Sequence, residues 1–219
     1  MLGPNGSGKT ALLKSVLGLI PLIGGKRVLP QGRSPRVGYV PQRDQLDQSW
    51  PLSVLDVVLM GRTALLGPLK WAGKEDRRIC REALDEIGIG DLWDRPLHAL
   101  SGGQHQKVLV ARAIAASPEV LVFDEPTSAM DPAAERVFLE LIERLKTAHH
   151  CSVVIVSHQL TAIAGFATDV ALVDRQHALF EIGTAAEMFQ PDRLGRLFGR
   201  EVSVVEIAGQ RAVIVGRVP

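Results

Sequence analysis

Apolar residues recur along this 219-residue chain in two rhythms. Short unbroken runs, in "EVLVFDEP" at 119–126, "SVVIVS" at 152–157 and "DVALVD" at 169–174, read as strands buried on both faces of a parallel sheet. Helical spacing governs the stretches between them. "ALLKSVLGLI" is apolar at 12, 13, 16, 17 and 20, which predicts a helix packed on a sheet. "DPAAERVFLELIERLKTA" starts with Asp131 as N-cap and Pro132 in the first helical position, and carries a stripe of Val137, Leu141 and Leu145. Strand, helix, strand, helix, strand is the order of a doubly wound parallel sheet.

Strand-like runs are sparse between Gln42 and residue 100. "SVLDVVLMGR" reads as one helix with Ser53 as N-cap. "KEDRRICREALDEIG" reads as a second, with Ile79, Ala83 and Ile87 on one face and Gly88 at its end. Near the carboxyl end, β-branched runs at 202–207 and 212–215 flank Ala-Gly-Gln-Arg, a hairpin signal. The hairpin is either a regulatory or dimerisation element or a strand pair covering the core.

Composition narrows the class. Apolar residues are 46% and charged residues 22%, as in ordinary folded domains, and the length fits one or two of them. A net charge of +1 provides no global field for nucleic acid or acidic lipid. Cys80 and Cys151 are too few for a disulfide framework or a zinc ribbon and suit a reducing compartment. No apolar run approaches the ~18–20 residues that cross a bilayer. The longest, "VLVARAIAASPEVLVF", is broken by Arg112, Pro118 and Glu119. The first dozen residues form a glycine-rich loop rather than a signal peptide, so the chain reads as soluble.

That opening loop, "GPNGSGKT" at 3–10, carries the chemistry. Gly3, Gly6 and Gly8 let the backbone curl until successive N–H groups point at one anion, and Pro4, Asn5 and Ser7 complete the turn. The following helix adds its positive end. Lys9 is long enough to reach β- and γ-phosphates, and Thr10 offers a hydroxyl to Mg²⁺. Asp124 and Glu125 end a buried strand, where open α/β sheets place ligands. Asp124 suits Mg²⁺, through water, and Glu125 suits the water that attacks the γ-phosphate. A solvated acidic turn would look the same in isolation. His158 follows a strand at the same sheet edge, which favours a phosphate contact over a surface or capping role. "HHC" at 149–151 reads as a loop rather than a metal site, because adjacent residues do not converge readily on one ion.

Six ordered motifs resemble the ATP-binding cassette (ABC) ATPases: GPNGSGKT, "YVPQ" ending at Gln42, LSGGQ at 100–104, "VLVFDEP", "SAMD" ending at Asp131, and "VSH" ending at His158. The resemblance covers nearly the whole chain. It implies an α/β fold, a P-loop NTPase parallel sheet flanked by helices, with an all-helical signature subdomain inserted after the Gln-loop. The corresponding division is residues 1–42 and 104–185 for the RecA-like core, 43–103 for the helical subdomain, and 186–219 for a C-terminal helix and hairpin-like tail. ATP and Mg²⁺ are the implied substrate and cofactor. Ser101, Gly102, Gly103 and Gln104 read unaided as a helix N-cap that could also receive an anion. By resemblance they close over the γ-phosphate of a second subunit in a head-to-tail dimer. Gln42 would sense γ-phosphate and Mg²⁺, Glu125 would activate water, His158 would complete the γ-phosphate contacts, and Asp131 would communicate across the dimer. Ala11, His105 and Lys107 depart from common family residues without removing a catalytic group.

In this family the chain pairs with a copy of itself or with a second ABC subunit. It docks on integral membrane permease subunits at the cytoplasmic face, and is linked through them to an extracytoplasmic substrate-binding protein; nucleic acid is not a partner. Trp50, Leu69 and Trp71 either line that docking groove or close the subdomain's own core. The segment "YVPQRDQLDQSWPLSVLDVVLMGR" resembles importers of zinc, manganese or iron(II), with importers of iron–siderophore, haem or cobalamin as the alternative. A non-transport ABC ATPase of DNA repair or translation is disfavoured by the single cassette and the lack of extended heptads. The family also places an antiparallel sheet, an adenine-stacking aromatic residue and the strand feeding the loop ahead of position 3. Only Met1 and Leu2 stand there, so the expectation is a misassigned or internal start, with a degenerate short chain or inactive fragment as its rival.

Overall fold

The computed structural model describes all residues except 30–31, 43–49, 68–69, 129, 208–209 and 217–219. Leu69, Ala129 and the first two residues of the tail's turn thus lie outside the described residues. In chain order the elements begin α1 (Lys9–Leu17), β1 (Val37–Val40), α2 (Val54–Leu59), α3 (Thr63–Leu66), α4 (Lys74–Glu86) and α5 (Gly102–Ala115). They continue β2 (Val120–Asp124), α6 (Pro132–Ala148), β3 (Ser152–Val156), α7 (Leu160–Ala164), β4 (Asp169–Asp174) and β5 (Leu179–Thr184). The last are α8 (Ala185–Met188), α9 (Pro191–Phe198), β6 (Val202–Ile207) and β7 (Gln210–Val215). Two compact units result: Met1–Val28, Thr127–Leu139 and Ile155–Pro219 form one; Leu29–Pro126 and Glu140–Val154 form the other.

The second unit contains the parallel pair β1–β2, in register Val37↔Val120 to Val40↔Phe123, within a sheet of order β1-β2-β3. The entry of the pair is clamped by Glu119, whose carboxylate takes two hydrogen bonds from Arg33, at 2.8 and 2.6 Å, and one from the Arg36 N–H at 3.0 Å. These donors hold the Glu119 carboxyl down at about 2, with the Arg33 hydrogen bonds the leading cause. Helix α5 backs β1 closely: a Cβ on Gly38 would lie 2.6 Å from the Ala113 carbonyl oxygen. Helices α2, α4 and α5 share a core of Val54, Val57, Val58, Cys80, Leu84, Val108 and Leu109. A largely buried Arg62–Asp76 ion pair at 3.0 Å braces it, while Arg62 also donates to the Ala115 carbonyl. Ser53 caps α2 through Asp56, as the sequence indicates, but the helix tightens to a 3₁₀ turn at Met60–Arg62.

In the first unit, Leu2 is fully buried and bridges Ser157 on one side and Leu172 on the other, both parallel. Its N–H donates to the Ala171 carbonyl and its own carbonyl accepts from Val173, while the Ser157 N–H donates to Met1. Leu2, which leads into the loop, thus has backbone partners on both sides. Strands β4 and β5 form an antiparallel hairpin, and Met188, Phe189, Leu194 and Leu197 of the α8–α9 region are buried. The tail is the predicted antiparallel hairpin, β6 with β7, and β7 docks on α7 through Thr161 and Val213. Two helical faces differ from expectation. Helix α1 stops at Gly18, in the left-handed conformation, so Ile20 falls outside it and Val16 stays exposed. On α6 the buried stripe runs through Phe138, Leu141, Ile142 and Leu145, leaving Val137 65% exposed.

Candidate nucleotide site

The phosphate loop lies in the first unit, directly after Met1 and Leu2. Gly6 and Gly8 adopt φ of 79° and 94°, values that an L side chain rarely takes, and these turn the chain into α1. Gly3 is required for a different reason: a Cβ there would sit 2.1 Å from the Val173 carbonyl oxygen. Lys9 is buried and curls over the loop, its Nζ donating to the carbonyls of Gly3 and Pro4 at 2.9 Å each. Asn5 and Gly6 are exposed, and Pro4 and Thr10 half-buried. Ser7 is 2% exposed, and its Oγ has no hydrogen-bond partner among the described residues.

The β4–β5 turn braces this loop, a contact the sequence does not announce. The Arg175 N–H donates to the Ser7 carbonyl at 3.2 Å. Buried Asp174 shapes the turn by accepting from the Gln176 N–H at 2.9 Å and pairing with His177 Nδ1 at 2.5 Å. The His177 hydrogen bond, as leading cause, lowers the Asp174 pKa.

His158 and Asp131 belong to the same unit. His158 follows Ser157, whose backbone is tied to Met1. Asp131 caps α6 by accepting from the Ala134 N–H at 2.9 Å, the N-cap role that its place before Pro132 predicts.

The second unit contains the remaining candidates. The parallel register ends at Val40↔Phe123; Gln42 follows β1 by two residues, Asp124 ends β2 and Glu125 comes next, so all three follow the carboxyl ends of two adjacent parallel strands. Asp124 is buried and its Oδ2 accepts from Tyr39 Oη at 3.2 Å. Burial first, and the Asp124 charge second, pushes the Tyr39 phenol up to about 12, so it stays protonated and donates. Glu125 is also buried and adopts φ of 51°, a left-handed conformation immediately before Pro126. Non-glycine residues adopt that region at a cost and tend to do so at functional sites. Ser101 and Gln104 form a reciprocal capping box at the start of α5, with Gly102 and Gly103 exposed on its first turn.

The loop fits an anion on its own evidence. Left-handed Gly6 and Gly8 permit the curl with which such loops gather N–H groups about an anion, Gly8 contributes no capping side chain, and a buried hydroxyl with no partner among the described residues stands within it. Within the second unit Gln42 and Asp124 each carry a side-chain oxygen, and in the first Thr10 carries a hydroxyl, ligand atoms of the kind that a hard cation such as Mg²⁺ takes.

The family model described as ABC transporter matches residues 1–128. The zinc transport system ATP-binding protein TroB of Treponema pallidum is 36% identical over 207 residues, covering 93% of this chain and 77% of that protein. The manganese transport system ATP-binding protein MntB of Halalkalibacterium halodurans is 35% identical over 201 residues, covering 90% and 79%. A solved structure described as a metal-chelate-type ABC transporter, inward-facing, superposes with a TM-score of 0.88 at 31% identity, covering 99% of this chain and 86% of that one. The chain belongs to the ABC transporter family and has the fold of its ATP-binding cassette.

Proposed function

We propose that the chain is the ATP-hydrolysing subunit of an importer for divalent metal ions such as zinc or manganese. The observation that carries the ATP half of this reading is the loop at 3–10, with its left-handed glycines, buried Lys9 and unpartnered Ser7 hydroxyl. Its N–H groups and Lys9 bind the β- and γ-phosphates. Mg²⁺, when bound through Thr10, Gln42 and Asp124, supplies neutralisation of the phosphate charge. Tyr39 holds the Asp124 carboxylate in orientation. Glu125 takes a proton from water as it attacks the γ-phosphate, and His158 donates to a γ-phosphate oxygen. Ser101–Gln104 act on the nucleotide of a second subunit, and Asp131 contacts that subunit. ADP and phosphate leave, and the dimer loosens.

The metal half is supported by the names of the relatives, which transport zinc and manganese. A metal-chelate substrate is the second reading, favoured by the description of the similar solved structure. Uptake of ⁶⁵Zn or ⁵⁴Mn, free and chelated, in source cells carrying Lys9→Ala separates the two. Loss of free-ion uptake supports the first, loss of chelate uptake alone supports the second, and no loss of either overturns both.

The membrane subunits dock on the helical region, and the chain works at the cytoplasmic face. Trp50 and Trp71 are 64% and 94% exposed, so they do not close a core of their own. Large aromatic side chains left in water are favourable anchors for a partner. Trp71→Ala should abolish co-purification with the membrane subunits and change the melting temperature of the free chain by less than about 2 °C. Retained complex would remove Trp71 from the interface.

A further inference from the structure

Thr127 stands two residues beyond Glu125 and is 2% exposed. Its hydroxyl donates to Glu135 Oε1 at 2.6 Å and lies 3.0 Å from the Gln159 carboxamide oxygen. A hydroxyl has one hydrogen and two lone pairs. Rotating the Gln159 carboxamide by 180° presents an N–H to the Thr127 oxygen, and all three groups are then satisfied.

Each partner leads to a different candidate residue. Glu135 sits in the first turn of α6, and its N–H donates to the Asp131 carbonyl at 2.9 Å. Gln159 is the N-cap of α7, yet its side chain makes no cap bond; it is directed to Thr127 instead. The Gln159 N–H donates to Ser157 Oγ at 2.9 Å, closing a tight turn around His158. The other end of that turn is held by the bond from the Ser157 N–H to Met1. The Met130 N–H in turn donates to the Thr127 carbonyl, which shapes the approach to Asp131.

We infer that Thr127 is a positioning residue whose hydroxyl locks the His158 turn to the Asp131 end of α6, so that contact with the γ-phosphate and contact with the second subunit are set by one buried hydrogen-bond hub. The inference rests on the roles proposed above for His158 and Asp131. Thr127 touches no phosphate itself. Its effect falls on the rate of the chemical step rather than on nucleotide affinity, because the phosphate loop is held by a different set of bonds, from Val173, Arg175 and Lys9.

The test uses the full chain with Mg·ATP and four variants. Thr127→Val keeps the shape and removes the hydroxyl; it should lower kcat about tenfold, the scale of a small misplacement of a reacting group, and leave KM within about twofold. Thr127→Ser restores the hydroxyl and should recover most of kcat. Gln159→Ala should lower kcat less, and combining it with Thr127→Val should add nothing further, because both remove the same link. Glu125→Gln is the control for the underlying reading. If wild type and Glu125→Gln turn over ATP equally, that reading fails and the inference falls with it. If wild type is active, Glu125→Gln is not, and Thr127→Val matches wild type, the hub alone is overturned. The hub is likewise overturned if Thr127→Ser fails to rescue, or if the Gln159 and Thr127 effects multiply.

Discussion

Glu125→Gln should cut ATP turnover by about 10²–10⁴-fold while leaving Mg·ATP binding within about twofold, the range contributed by a well-placed general base. Glutamine has the same length and can occupy the same buried position, but it cannot take a proton from water. The backbone argument strengthens the expectation. Glu125 is held at φ of 51° between a buried strand and Pro126. Such a conformation costs about 1–3 kcal/mol and persists only where its surroundings impose it. A residue needed merely to end the strand would be better as glycine. Steady-state phosphate release and equilibrium nucleotide binding, measured on the same preparation, check both halves. Loss of binding together with turnover would place Glu125 among the binding groups instead.

Gly3→Ala has the second large expected effect, through packing rather than chemistry. The added methyl would overlap the Val173 carbonyl oxygen at 2.1 Å and approach Ser7 Oγ at 2.8 Å. The first obstacle is backbone, and the second is the end of a buried side chain. Strand β4 is pinned at this point by the bond from the Val173 N–H to Leu2, so relief requires shifting the loop. Destabilisation of about 3 kcal/mol is expected, at the upper end of ordinary overpacking, together with loss of ATP binding. The contrasting control is Gly24→Ala, beyond the end of α1, where a Cβ meets nothing within 4 Å. Urea denaturation with calorimetric ATP titration measures both; a Gly3→Ala chain that is as stable and binds as well as wild type would mean that the loop yields easily.

The legible parts of this protein are those where residue type is itself the chemistry. A glycine-rich turn ending in Lys9 and Thr10, two acids after a buried apolar run, and caps at Ser53, Ser101 and Asp131 all declare themselves locally. Strands β2, β3 and β4 are equally plain, because unbroken β-branched runs have few other uses. Helix faces are harder to read. Apolar residues at 12, 13, 16, 17 and 20 look like one stripe, but Leu13 alone among them is buried, and Gly18 ends the helix before Ile20. Val137 likewise fits the spacing, although the neighbours of α6 select Phe138 and Ile142. The pairing of Met1 and Leu2 is not legible in the sequence, since two residues carry no periodicity and their partners, Ile155, Ser157 and Leu172, lie far along the chain. Distance in the chain also hides Tyr39 behind Asp124, Arg175 behind Ser7, and Thr127 between Glu135 and Gln159. Single polar residues of this kind become interpretable only when the fold shows what they touch.

Titration of Mg·ATP into the purified chain by calorimetry, beside the Lys9→Ala variant, tests the central claim most directly. The account predicts saturable one-site binding by the wild type, weakened about 10²-fold in Lys9→Ala, as expected when hydrogen bonds to charged oxygens worth about 1.5–3 kcal/mol each are lost. Equal affinity of the two proteins, or no binding by either when both are folded, would contradict it.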